Sequence, residues 1–378
     1  MGRIKQYEEV FFSLLRAGIW GTEVEVPRGF DQWGSVVRLA KIQSVLSLVG
    51  DVMLRTPAIA AQLKDDMKAG LKAFVMNSVA THSMLNGCLI KVVSELRDHG
   101  IEGVLLKGQG IARNYPVTEL RQCGDIDFYV GNDNYLKAIE VLCKLATWKE
   151  DGDPQKNTKH YDIRIGKVTV EIHRFSDVNA SPHYDRIYQK YSDKGLTENL
   201  RVLDFAGTSV NTPADDFNAF YIFNHLLHHF LTSGVGLRQF CDWMLFLHRH
   251  HAAIDCQALE RILTEMDMML AWQSLGCVLV KCIGLPQEEF PFYDQTKERK
   301  CDRILQHVLT EGNFGHERSF AKNRKGESYI YRKIKSFFLH IVRYCQIFII
   351  FPSLSFRQFI NTVRIGFKAV WEDLTKKK

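Results

Sequence analysis

Two short runs decide the reading of this chain: Leu105-Leu106-Lys107-Gly108-Gln109-Gly110 and Arg121-Gln122-Cys123-Gly124-Asp125-Ile126-Asp127-Phe128-Tyr129-Val130. The first is an apolar strand that stops at a lysine and a glycine. In the second, Ile126 and Phe128 point one way and Asp125 and Asp127 the other, because residues i and i+2 of a strand share a face. Two carboxylates then stand about 7 Å apart at Cα. Side by side they repel, and one is driven to keep its proton unless a cation sits between them. Mg2+ takes one or two carboxylates, some waters and phosphate oxygens, so it suits such a pair, with Mn2+ as the alternative ion.

A third acid lies downstream, in Lys167-Val168-Thr169-Val170-Glu171-Ile172-His173. Its alternation puts Thr169, Glu171 and His173 on one face, so Glu171 joins the two aspartates if this strand pairs beside theirs. Three acids make room for two ions, one activating an attacking oxygen and the other holding a triphosphate. Lys107-Gly108, between a strand and a helix, is where glycine lets the backbone approach a phosphate and free amides face it. Lys107 and Arg121 supply cations for such a ligand. His173 is a candidate for positioning substrate, with a structural hydrogen bond as the equal alternative.

Outward from this centre the pattern changes. Residues 1–99 read as a helical region, with apolar periodicity in VVRLAKIQSVLSLVGDVML and in LKAFVMNSVATHSMLNGCLIKVVSELRDHG, which ends on Gly100 as a C-cap. Residues 100–210 form an α/β core, with strands in GVLLK and DIDFYV and a hairpin of YDIRI and KVTVEIHRF about Gly166-Lys167. From 211 to 311 the chain returns to helices, opened by Thr212-Pro213. Residues 312–328 read as a linker or loop, and 329–378 as a basic amphipathic tail. From Phe320 onward there are 13 Lys/Arg against 3 Asp/Glu, so the tail carries more than the whole net charge of +6. Its apolar stripe, Phe356, Phe359, Ile360, Val363 and Phe367, suits an anionic membrane surface, a partner or the chain's own bundle.

Composition narrows the class. With 46% apolar residues in 378, the chain fills real cores and is neither fibrous nor disordered. Nine scattered cysteines without a C-x-x-C pair, and charges in the opening MGRIKQYEEV, point to a reducing cytoplasm and no export signal. The expected location is cytoplasmic, with peripheral attachment at the inner membrane surface through residues 337–378 as a variant. The stretch Phe337 to Phe351 is too short to span a bilayer and has Arg343 at its middle. His225, His228 and His229 have helical spacing, and the reading favours a histidine bordering the cleft or a core histidine over zinc. No Walker loop, nucleophile elbow or dinucleotide glycine pattern is present.

Taken together, Leu106-Lys107-Gly108, Tyr115-Pro116, Arg121 through Asp127, Val170-Glu171-Ile172-His173 and Leu237-Arg238-Gln239-Phe240-Cys241-Asp242 resemble the nucleotidyltransferases of the DNA polymerase β type, and within them a group of uncharacterised nucleotidyltransferases, over about residues 75 to 250. The resemblance implies a polymerase β-like α/β (α+β) core with a mixed sheet, flanked by N-terminal helices and a C-terminal helical bundle. It implies a nucleoside triphosphate substrate and a divalent metal on Asp125, Asp127 and Glu171, the catalytic residues, by a two-metal route. Lys107, Gly108, Arg121, Gly124 and His173 are the implied nucleotide contacts, and Glu171 is also placed to accept a proton. The acceptor hydroxyl belongs to a small molecule, a protein or an RNA. The chain departs from the wider superfamily in having Lys107-Gly108 where many members have Gly-Ser, a feature that resembles abortive-infection toxins. The rival readings are a non-catalytic module of the same fold that docks on a membrane or partner, and a tRNA-modifying toxin.

Overall fold

The computed structural model describes residues 5–179, 181–313 and 344–375. Most of residues 312–328 and the first part of 329–378, with His340 and Arg343, lie outside the described residues. Five helices precede the sheet: α1 (Gln6–Trp20), α2 (Trp33–Ile42), α3 (Leu46–Arg55), the short α4 (Pro57–Ala60) and α5 (Asp65–Asp98). The expected glycine stop of α5 is a Schellman cap. Gly100 sits at φ +72°, its N–H donates to the Arg97 carbonyl at 2.8 Å, and the Ile101 N–H donates to Leu96 at 2.9 Å.

The sheet follows as β1 (Val104–Leu105), the short α6 (Gln109–Ala112), β2 (Asp125–Tyr129), α7 (Gly131–Cys143), β3 (Trp148–Lys149), β4 (His160–Ile165), β5 (Val168–His173), α8 (Pro182–Gly195), β6 (Arg201–Phe205) and β7 (Thr208–Thr212). The seven strands lie in the order β3-β4-β5-β2-β1-β7-β6. Strand β2 runs parallel to β5 and antiparallel to β1, and β1 is parallel to β7, so the sheet is mixed as expected. Gly166, at φ +61°, makes the two-residue turn of the β4–β5 hairpin, where Ile165 pairs with Val168.

One face of the sheet is apolar. Ile126, Phe128, Ile163, Val170 and Ile172 are buried against the second half of α5, through Leu85, Leu89, Val92 and Leu96, and against Ala138 and Leu142 of α7. That packing leaves the opposite face for polar side chains. The remaining helices lie beyond it: α9 (Asp215–Leu231), α10 (Leu237–His250), α11 (Cys256–Glu265), α12 (Met269–Val278), α13 (Cys301–Glu311) and α14 (Pro352–Thr375). Their core of Phe220, Phe223, Trp243 and Trp272 is continuous with Phe11, Leu14 and Val49 of the first helices. Arg16 and Trp20 of α1 seal the contact by donating to the carbonyls of Cys282 and Ile283 at 3.0 and 2.8 Å. The helices on either side of the sheet in sequence therefore build one apolar core.

The described part of the tail begins on this bundle. Ile347, Ile350, Phe351 and Leu354 are buried, and Lys300 donates to the Ile350 carbonyl at 2.7 Å. Phe348, Ile349, Phe356 and Ile360 are exposed. Arg357, expected on the polar side of the stripe, lies over the Tyr184 ring and donates to the Met266 carbonyl at 3.2 Å. Among the described residues, no single helix is long and apolar enough to cross a membrane.

Candidate active site

Strands β4, β5 and β2 are neighbours in register, and their alternation lays out a square array on the polar face. Asp125 stands beside Thr169 and Thr169 beside Arg164; Asp127 beside Glu171 and Glu171 beside Asp162; Tyr129 beside His173 and His173 beside His160. Glu171 is at the centre. Adjacent rows lie about 4.8 Å apart, which puts the acids within direct electrostatic reach of one another.

Lys107 enters from the end of β1, and its Nζ is 2.9 Å from Asp127 Oδ1. The turn that delivers it requires glycine. Gly108 has φ +57°, and a Cβ there would stand 3.3 Å from the Asp125 carbonyl oxygen. Gly124, in contrast, has open space where a Cβ would go. His173, fully buried, donates from Nδ1 to the Phe175 carbonyl at 3.2 Å and places Nε2 at 3.3 Å from Asp127 Oδ1 and 3.2 Å from Glu171 Oε2.

These contacts divide the acids. Burial pushes Asp127 up, but Lys107 and His173 outweigh it and hold the carboxyl well below the usual range. Glu171 follows the same logic, lowered because the bond from His173 overcomes burial. Asp125 has no such partner: the charge of Asp127, then burial, push it up to about 6. His173 is raised in return, since the two carboxylates overcome its burial. At Asp125 the charge of Asp127 and burial outweigh Lys107 and Arg238, a crowding of carboxylates that a bound metal ion relieves.

Above the array lies a cavity of about 220 Å³, bounded by Lys107, Gly108, Gly124, Asp125, Asp127 and Glu171 below and by His225, His229 and Arg238 from α9 and α10 above. A larger cavity of about 810 Å³, beside Glu9, Arg16 and Lys281, is remote from these groups, so chemistry rather than size marks the site. His225 and His229 border the cleft as the sequence reading favoured, with rings 4.5 Å apart, and burial pushes His229 down to about 3. Arg238 donates to the Gln122 carbonyl at 2.8 Å and keeps its Nε without a hydrogen-bond partner.

In place of the phosphate contact expected of Arg121, the structure shows a buried strut. Arg121 Nε and Nη2 each donate to Asp242 at 2.8 Å, and Nη1 donates to Cys123 Sγ at 2.9 Å. The Tyr115 hydroxyl donates to the same Asp242 carboxylate at 2.7 Å. Tyr115-Pro116, the arginine before D-I-D and the aspartate of L-R-x-x-x-D are thus three ends of one buried cluster that ties α10 to the loop before β2. Arg121 lines the cleft with its guanidinium committed to Asp242, and Lys107, Lys159 and Arg238 line it as well. Lys159, His160 and Asp162 were not singled out from the sequence, and Arg238 entered only within the segment Leu237 to Asp242. His160 and Asp162 were within reach, because a two-residue turn at Gly166-Lys167 pairs 160 with 173 and 162 with 171.

The seven-stranded mixed sheet thus presents three acids beside a lysine-glycine turn. The family model described as "Uncharacterised nucleotidyltransferase" matches residues 31–282, and the chain belongs to that family. The match runs from α2 through α12 and leaves α1 outside. An antigenic nucleotidyltransferase-like protein from Paracoccidioides brasiliensis is similar over 55% of this chain and 96% of its own, at 11% identity and a TM-score of 0.32. No curated protein matches.

Proposed function

We propose that this transferase moves a nucleoside monophosphate from a nucleoside triphosphate to an acceptor hydroxyl. The observation that carries the reading is the register that sets Asp125 and Asp127 of one strand beside Glu171 of the next, at a cleft that Lys107, Lys159 and Arg238 also line. Asp125, Asp127 and Glu171 would hold divalent metal; Mg2+ there supplies charge neutralisation for the triphosphate and lowers the pKa of an attacking hydroxyl. The family implies such a metal and a triphosphate substrate.

The chain's own groups have separable tasks. Lys107 steadies Asp127 and presents its ammonium to phosphate, and Arg238 and Lys159 meet the rest of the phosphate charge. Gly108 lets the backbone pass close to β2. Glu171, kept ionised by His173, serves as a ligand rather than as the proton acceptor. The oxygen of the acceptor bonds to the α-phosphorus as its proton passes to solvent water, the bond from that phosphorus to the bridging oxygen breaks, and pyrophosphate leaves. A cavity of about 220 Å³ is below the roughly 300–1,000 Å³ of whole-ligand pockets, which suits the phosphate end of the nucleotide.

The test is to follow α-labelled and γ-labelled triphosphates with tRNA, protein and sugar acceptors. Transfer of the α-label with release of γ-labelled pyrophosphate, lost in Asp125→Ala, supports the proposal. Transfer of the γ-label to the acceptor, or α-transfer that Asp125→Ala leaves unchanged, refutes it.

A further inference from the structure

The row beside the carboxylates has a property that the proposed reaction does not use. His160 on β4 and His173 on β5 are register partners with ring centroids 4.9 Å apart, and both direct a nitrogen at Glu171. His173 Nε2 is 3.2 Å and His160 Nδ1 3.8 Å from Glu171 Oε2, and the three ligand atoms lie within 4.8 Å of one another. Imidazole nitrogens and carboxylate oxygens bind first-row ions at about 2.0–2.2 Å, so two ligands of one ion stand about 3.0–3.5 Å apart. The two nitrogen–oxygen separations lie within a few tenths of an ångström of that range, and His160 is partly exposed.

The outer nitrogen of His173 is already held as a metal site holds it. His173 Nδ1 donates to the Phe175 carbonyl, and His160 Nε2 faces Asp162 Oδ1 at 3.4 Å. His173 thus has one nitrogen on a carbonyl and the other aimed inward, the pattern that fixes tautomer and orientation in histidine–metal sites, and His160 has a carboxylate within ion-pair distance of its outer nitrogen. His160 Nδ1 is buried yet has no hydrogen-bond partner. A buried ring nitrogen without a partner costs free energy that a bound ion recovers.

We propose that His160, Glu171 and His173 form a second cation position that takes a nitrogen-accepting divalent transition ion, of the Mn2+, Co2+ or Zn2+ class, in preference to Mg2+. The donor chemistry sets that preference, since Mg2+ seeks an all-oxygen octahedron whereas imidazole suits the later first-row ions. Glu171 is the ligand shared with the carboxylate pair. The position needs no nucleotide, so the inference stands apart from the transfer reaction proposed above.

The experiment uses the full chain, stripped with EDTA and free of nucleotide. Co2+ is titrated with visible absorption as the readout, and Mn2+ is examined for nitrogen-14 modulation by pulsed electron paramagnetic resonance. The expected result is one saturable ion with nitrogen coupling, retained in Asp125→Asn and weakened by more than about tenfold in His160→Ala. A wild type that takes up no Co2+, Mn2+ bound without nitrogen coupling, or Co2+ binding that His160→Ala leaves intact would overturn the proposal. The nitrogen coupling is read on the wild type and does not depend on how a variant folds. Loss of Co2+ uptake together with loss of Mg2+-nucleotide binding in Asp125→Asn would also overturn it, because the two positions would then be one.

Discussion

Asp125 and Asp127 look equivalent in D-I-D, yet their removal should shift stability in opposite directions. Without metal, Asp125 is pushed from 3.8 up to about 6, which corresponds to about 3 kcal/mol against the folded state once the group is ionised. The raised pKa sets the sign: the cost is absent near pH 4, about half developed at pH 5 and complete above pH 6. Asp125→Asn removes it. At roughly 2.1 cal/mol/K per residue, 378 residues unfold with about 0.8 kcal/mol/K, so the variant should melt about 4 °C higher at pH 8 in EDTA and about half that at pH 5. Asp127→Asn instead strands Lys107, whose Nζ lies 2.9 Å from the lost carboxylate, and His173. Breaking a buried pair costs about 3–5 kcal/mol, a fall of roughly 4–6 °C. Scanning calorimetry of both variants at the two pH values checks this. A rise for both, a fall for Asp125→Asn, or a gain unchanged between pH 5 and 8 would refute the division of charge drawn here.

Three further outcomes follow from the packing. Arg121→Met should destabilise by about 3–5 kcal/mol in urea titration by leaving the buried Asp242 charge without its cation, and Arg121→Met/Asp242→Leu should recover much of that loss. Gly108→Ala should cost about 1 kcal/mol or more and lower nucleotide affinity in calorimetric titration, because its φ of +57° and the Asp125 carbonyl 3.3 Å away both oppose a Cβ. Deleting residues 329–378 removes Ile347, Ile350, Phe351 and Leu354 from the bundle, on the order of 6–12 kcal/mol of burial, and should give an aggregating protein by light scattering rather than a soluble core.

The parts of this fold that were legible are those set by local periodicity. The strand Asp125–Tyr129, the β4–β5 hairpin and the glycine stop of α5 follow from alternation, a two-residue turn and a C-cap. The hairpin β6–β7 was missed although it carries its own turn, Ala206-Gly207, with both residues at positive φ. Its strands mix exposed and buried side chains weakly, and its place beside β1 is a parallel pairing with a partner about a hundred residues away. The site divides in the same way. Asp125, Asp127 and Glu171 share a face by alternation, but the partner of Arg121 lies on a helix that sequence spacing cannot bring near, so an arginine before two aspartates read as a phosphate ligand. Asp162 lies within the hairpin strand read from the sequence, opposite Glu171, and His160 needed that register carried one residue further.

Isothermal titration of each nucleoside triphosphate into wild type and Asp125→Ala, with and without Mg2+, bears on the central claim most directly. Saturable binding of at least one triphosphate that requires Mg2+ and is lost in the folded Asp125→Ala variant is the predicted result. A folded wild type that binds no triphosphate, or one that binds equally well without Mg2+ and without Asp125, would contradict it.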